Sequence, residues 1–173
     1  MHKGYCTATV RHKIGEDPNG KPIYDYPSDD PLDWKVLAYN VPNLLTNAGK
    51  NLLHNYAYIY VAADTVTTVG ANFIALTEAT ITPAVGDTTL SSEISSNGLQ
   101  RAAATTKTHT TDANTSTIAK TFTASGSFTS VLASALFTAS SSGTMVHEAN
   151  FSTGSGTLIS GDQLAVTWTL TLS

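Results

Sequence analysis

The chain has 173 residues, a formal net charge of -4 and only 13% charged residues, about half the usual share. That length predicts one domain whose core stands without staples. The negative balance argues against a nucleic-acid surface, which needs a basic stripe; the single cysteine, Cys6, excludes an internal disulfide; and no run of about 18 apolar residues marks a membrane-spanning helix.

Ser and Thr stand where charges usually do. Thr is a strand residue, and it gives a polar surface without like-charge repulsion. This composition suits a protein crowded against copies of itself, and equally an ordinary β domain with a neutral surface. Met1 to Tyr5 carries no apolar stretch of the kind a secretory signal needs.

Tyr5 to Ile14 reads as the first strand. Glu16-Asp17-Pro18-Asn19-Gly20 is a turn, with Pro presetting φ and Gly supplying φ > 0. Ile23 to Tyr26 returns as the second arm of a hairpin. Ser28 to Asp33 is an acidic loop flanked by Pro27 and holding Pro31, and Trp34 to Val41 is a strand ended by Pro42.

Asn43 to Tyr58 is the one main helix, with Leu45, Gly49, Leu52, Tyr56 and Ile59 on an apolar stripe. Asn43 or Thr46 caps its start. Ala71 to Leu76 is a buried strand. Asp87 to Ile94 reads as a short helical turn, capped by Asp87, with Leu90 and Ile94 on one face. Asn97-Gly98 is a turn. Leu99 to Thr110 and Ser116 to Thr123 are strands split at 111–114. Phe128 to Phe137 and Thr144 to Phe151 follow, separated by the Ser140–Gly143 loop.

Leu164, Val166, Trp168, Leu170 and Leu172 then alternate with Ala165, Thr167, Thr169 and Thr171 after a Ser160-Gly161-Asp162 turn. One face packs on a core and the other is threonine. A strand of this quality belongs inside a sheet. The threonine row is left either to water or to a neighbouring subunit. The whole predicts an all-β, antiparallel β-sandwich, jelly-roll or Ig-like, with one main α-helix near residues 43–58. Its expected division is an N-terminal β-hairpin arm over residues 1–40, serving contacts, and a sandwich core over 41–173.

Catalytic chemistry finds little support. His147 and Glu148 are adjacent, so on a strand they point to opposite faces. No second His at i+2 or i+4 completes a metal pair. His109 stands among threonines near Asp112. Cys6 and His12 lie about 20 Å apart along one straight strand, far beyond the roughly 3 Å a catalytic dyad needs. Asp29, Asp30 and Asp33 form a loop cluster that is either a calcium site or simply solvated. No phosphate loop or nucleophile elbow occurs. The reading is a non-enzyme without cofactor or metal. Tyr24, Tyr26, Trp34 and Tyr39 are the candidate interface residues, because aromatics concentrate in the first third and aromatics dominate interfaces. They also fit a sugar-binding platform, or plain packing at a sheet edge.

Several stretches follow one another in a telling order: V-P-N-L-L-T-N-A-G-K-N-L-L, G-A-N-F-I-A-L-T, D-T-T-L-S-S-E-I, K-T-F-T-A-S-G-S-F, A-L-F-T-A-S-S-S-G-T-M-V-H-E-A-N-F and S-G-D-Q-L-A-V-T-W-T-L-T-L. Together, over roughly Val41 to Leu172, they resemble small virion structural proteins of tailed bacteriophages, met as decoration, neck, tail or fibre-associated components. The resemblance implies a virion location and other virion proteins, major capsid or tail, as partners. It implies no active-site residues, and from the charge balance and the lack of a long apolar run no nucleic-acid or membrane partner is expected. Head decoration, cementing the capsid, is the leading function. A tail, neck or fibre component touching the host receptor is the alternative, and a carbohydrate-binding module is a third. A homo-oligomer on a symmetry axis, a trimer, is expected, with residues 5–60 making the contacts and strand 164–172 holding the monomer together.

Overall fold

The computed structural model describes residues 3–42, 44–49, 70–109 and 115–171. They form an all-β sandwich of two five-stranded antiparallel sheets, with a two-stranded hairpin beside them. The first sheet runs β4 (Lys35–Pro42), β1 (Lys3–Arg11), β12 (Gln163–Thr171), β9 (Thr115–Thr123), β8 (Thr106–His109). The second runs β5 (Leu44–Leu45), β11 (Met145–Asn150), β10 (Ala133–Phe137), β6 (Phe73–Thr77), β7 (Ala102–Ala103). The hairpin pairs β2 (Lys13–Glu16) with β3 (Pro22–Tyr24).

The alternating strand takes the centre of the first sheet. Along its whole length β12 pairs with β1 on one side and β9 on the other. Leu164, Val166 and Trp168 are fully buried and face the second sheet across the main core. In register beside them stand Val10, Ala8 and Cys6 of β1, and Phe122 and Ile118 of β9. Burial pushes the Cys6 thiol far up, so it stays a neutral thiol. A second, smaller core lies on the outer face of the second sheet. There Ile81 and Leu90 cover Ala75, Ala133, Ala135, Phe137 and Met145.

Four expectations need correction. Residues 1–40 are not an arm beside a 41–173 core: β1 and β4 supply two of the first sheet's strands, and Cys6, Ala8 and Val10 belong to the main core. The helix expected over 43–58 does not start at 43, because Leu44–Leu45 pairs with β11 as a strand. Thr46 then caps helical residues 47–49, its Oγ1 accepting from the Gly49 N–H at 3.0 Å. The rest of the expected helix, 50–58, lies outside the described residues.

The helical turn expected over Asp87–Ile94 is irregular. Ser92 has φ 51°, Glu93 bridges to Thr77, and Leu90 and Ile94 enter different cores rather than sharing a face. The strand expected over Leu99–Thr110 splits between sheets at Ala104. The Ala104 amide donates to Asn72 in the second sheet's direction, while the Thr105 amide donates to Ala119 in the first. The turn at Asn97-Gly98 stands as read. Gly98 has φ 84°, and a Cβ there would lie 2.1 Å from the Thr123 carbonyl oxygen, so only glycine fits.

Candidate interaction surface

The chain has two arginines, and each pins loops from a nearly buried position. Arg11, at the end of β1, lies between two rings, 3.9 Å from the Tyr24 centroid and 4.4 Å from that of Trp34. Its Nε donates to Gln163 at 3.0 Å and its Nη1 to the Ser28 carbonyl at 2.7 Å; Nη2 meets Asp29 at 3.2 Å. The Trp34 indole N–H donates to the same Ser28 carbonyl at 2.9 Å. The fixed fork of the guanidinium suits it to collect several loop acceptors while its faces stack on rings. Arg101 repeats the device on the other sheet. It lies 3.4 Å over the Phe137 ring, pairs with Glu93, and donates to the Ser142 and Ala139 carbonyls.

This geometry separates the four aromatics. Trp34 is only 3% exposed and Tyr24 stacks on Arg11, so both make contacts within the chain. Tyr26 is partly exposed and Tyr39 is 70% exposed. Trp34 therefore offers no open ring face for a sugar, and Arg11 takes one face of Tyr24. The exposed apolar surface includes side chains that the aromatic count missed: Leu32 at 75%, Ile14 at 66% and Val36 at 50%.

Val36 and Tyr39 lie on edge strand β4, whose register against β1 shifts twice. The signal was in the sequence. Val36-Leu37-Ala38 is an apolar run on an edge strand, and its alternation holds only if the strand is bulged. Leu37 turns into the core while Val36 stays out. The free edge of β4 is partly closed, because the Leu37 carbonyl accepts from the Thr153 amide and from the Ser152 and Thr153 hydroxyls at 2.8–3.0 Å.

Next to Val36 and Tyr39 spreads the outer face of the first sheet. Tyr5, Thr169, Thr117 and Thr108 form one cross-strand row, and Thr7, Thr167, Ala119 and Thr106 the next. Pro31 overhangs one end of this face, leaving a shallow cavity of about 100 Å³ against Ala119, Thr121, Ala165 and Thr167. Thr167 and Thr169 are half-buried rather than fully open.

The acidic loop is engaged in its own structure. Asp29 pairs with Arg11, and the Asp30 carboxylate accepts from the Leu32 amide at 2.9 Å. No group of three or more His, Cys, Asp and Glu side chains placed to hold a metal occurs among the described residues. His12 Nδ1 lies 2.9 Å from the buried Asp162 carboxylate, which also accepts from the Lys13 and Ile159 amides. That carboxylate locks the β1–β2 corner to the turn before β12. His147 is buried near Trp168, with ring centroids 6.2 Å apart, while Glu148 serves the opposite face.

Glu148 anchors the loop over the second core. Its Oε1 accepts from the Ala84 amide at 3.1 Å, the same amide that reaches Asp87 at 2.9 Å. Burial, and then a hydrogen bond with Asp87, push the Glu148 carboxyl from 4.5 up to about 7. The fold therefore favours the protonated form. Between the unfolded value and about 7 the native state binds more protons, so Glu148's contribution to stability declines as pH rises through that window. Glu148→Gln, which keeps an amide oxygen as acceptor, is expected to be more stable than wild type above pH 7 by about 1–3 kcal/mol. Its advantage should vanish near pH 4.5. Melting temperatures from pH 4.5 to 8.5 check this; equal slopes for the two proteins would contradict it.

No protein-family model matches the chain, and no curated protein or solved structure matches it either.

Proposed function

We propose that this protein is a non-enzymatic structural component of a tailed bacteriophage virion, placed on the outside of the head as a decoration subunit. The observation that carries the docking role is the exposed apolar group of Val36 and Tyr39 on a bulged edge strand, beside an uncharged threonine face. Burying such side chains against a shell contributes about 25 cal/mol per Å² of apolar area. Both arginines and the buried Asp162 hold the protomer's own loops. They form a rigid scaffold, which lets a passive binder lose little entropy on docking. The virion setting rests on the ordered resemblance of the stretches between Val41 and Leu172.

Mechanically, the subunit bridges neighbouring shell proteins after assembly and adds interface energy against internal pressure. Quantitative mass spectrometry of gradient-purified particles tests the location. Copies in the hundreds are expected. About a dozen or fewer would move the protein to tail, neck or fibre, as the closed rings there dictate. Its absence from particles would overturn the reading.

A further inference from the structure

We infer that the turn at residues 84–87 is a pH-sensitive latch, held down on β11 while the Glu148 carboxyl carries its proton and released when that proton leaves. Glu148 is 2% exposed in the middle of β11, with Ala135 beside it on β10 and Leu44 on β5. Among the described residues its polar partners are the Ala84 amide and the Asp87 carboxyl, both in the turn. That amide also donates to Asp87 Oδ2 at 2.9 Å, so one N–H serves two carboxyl groups. A protonated Glu148 donates its O–H to Asp87 while accepting from the amide. An ionised Glu148 shares that single donor with a second carboxylate, and the two charges repel.

The turn is placed to move without the sandwich. It is closed by its own hydrogen bond, from the Asp87 amide to the Ala84 carbonyl at 3.0 Å, and Ala84, Val85 and Gly86 are exposed. Fixed points flank it. Asn150 takes both backbone groups of Ile81, at 2.9 and 2.7 Å, and Leu90 is buried in the second core. Lifting the turn between them gives up little apolar contact, lets water reach Glu148 and separates the two carboxyl groups. Local openings of this kind lie at the low end of a fold's stability range. The Val85 carbonyl also accepts from the Asn47 amide at 2.6 Å, beside the Thr46 cap. Release of the turn therefore frees the first helical residue after Thr46 as well.

The surrounding charges leave Asp87 as the group acting on Glu148 among the described residues. Ala135 and Leu44, its strand neighbours, carry no charge. His147 faces the opposite way, toward Trp168, and Arg101 and Glu93 are paired with each other over Phe137. With the turn down, burial and the hydrogen bond with Asp87 raise the Glu148 carboxyl from 4.5 to about 7. With the turn lifted, water solvates the carboxylate and the raise is lost. The closed form thus binds the extra proton. Opening is least near pH 4.5, rises through the interval up to about 7 and levels off above it.

Residue-resolved amide hydrogen exchange of the full-length wild type, Glu148→Gln and Asp87→Asn, from about pH 5 to about pH 8, reads the latch. Glutamine keeps an acceptor and does not ionise. Dividing each wild-type rate by the Glu148→Gln rate at the same pH cancels the intrinsic pH dependence of exchange. For the Ala84 and Asp87 amides that ratio is expected to rise at least about tenfold across the range. In wild type both amides are expected to stay at least about tenfold less protected than those of β12. Asp87→Asn, which removes the like charge, is expected to show a smaller rise at Ala84. A flat ratio overturns the latch. Protection equal to that of β12 at every pH overturns it too, because the turn would then open only with the whole sandwich. A rise in Asp87→Asn as large as in wild type overturns the carboxyl pair as its cause. Cooperative melting of each variant near pH 5 establishes that folded proteins are compared.

Discussion

Trp168→Ala is expected to cost about 3–5 kcal/mol, a substantial fraction of a typical domain's roughly 5–15 kcal/mol. The side chain is fully buried at the centre of the first sheet, between Cys6 on β1 and Ile118 on β9. It also ties the two sheets together. Its indole N–H donates to the Ser134 hydroxyl on β10 at 3.3 Å, and its ring lies near His147 on β11.

Alanine thus removes three things: the apolar transfer energy of the ring, the packing around the hole it leaves, and the partner of a fully buried hydroxyl. Trp168→Phe separates them. It keeps most of the volume but loses the donor, and should cost about 1–2 kcal/mol. Urea unfolding of the three proteins measures the series. A Trp168→Ala cost below about 1 kcal/mol would mean that the core is not organised around this ring.

What the sequence reveals well is whatever local periodicity decides. Leu164, Val166 and Trp168 announce a half-buried strand by period alone, and a strand so apolar on one face needs partners on both sides. Asn97-Gly98 and Ser160-Gly161 announce turns because positive φ selects glycine. Thr46 was one of two candidate caps, and the fold chose it because its hydroxyl also reaches the Met145 carbonyl, a partner distant in sequence.

The failures share one cause: tertiary pairing overrode the local pattern. Leu45 opens the expected helical stripe, but β11 offered Leu44 and Leu45 a ladder. Ala104 and Thr105 sit in one run of strand-like residues, yet their amides serve different sheets. Leu90 and Ile94 have helical spacing, but two separate cores draw them apart.

Of the four aromatics read as interface candidates, the structure shows only how exposed each one is. Aromatic content pointed to the first third of the chain, where Tyr39 is indeed exposed. It could not reveal that Arg11 would draw Tyr24 and Trp34 inward. That depends on the acidic loop folding back over β1 to present the Ser28 carbonyl and Asp29. The apolar residues left outside, Val36 and Leu32 among them, follow from strand bulges and loop closure, which no composition count resolves.

The second large expected effect concerns docking, and it bears on the central claim that the β4 side of the sandwich binds a larger assembly. Val36→Glu combined with Tyr39→Glu places two carboxylates where apolar contact is proposed. Both positions are at least half exposed, so the protomer itself should change in stability by no more than about 1 kcal/mol. On a docked subunit the same charges would be buried without partners, costing several kcal/mol. The deciding measurement is the occupancy of wild-type and doubly substituted protein, at matched concentration, on particles from which the native protein has been removed. The account predicts saturable binding of the wild type and at least a hundredfold weaker binding of the variant, about 2.7 kcal/mol, with unchanged melting of the free protein. Equal occupancy of the two, or no saturable binding of the wild type, would contradict it.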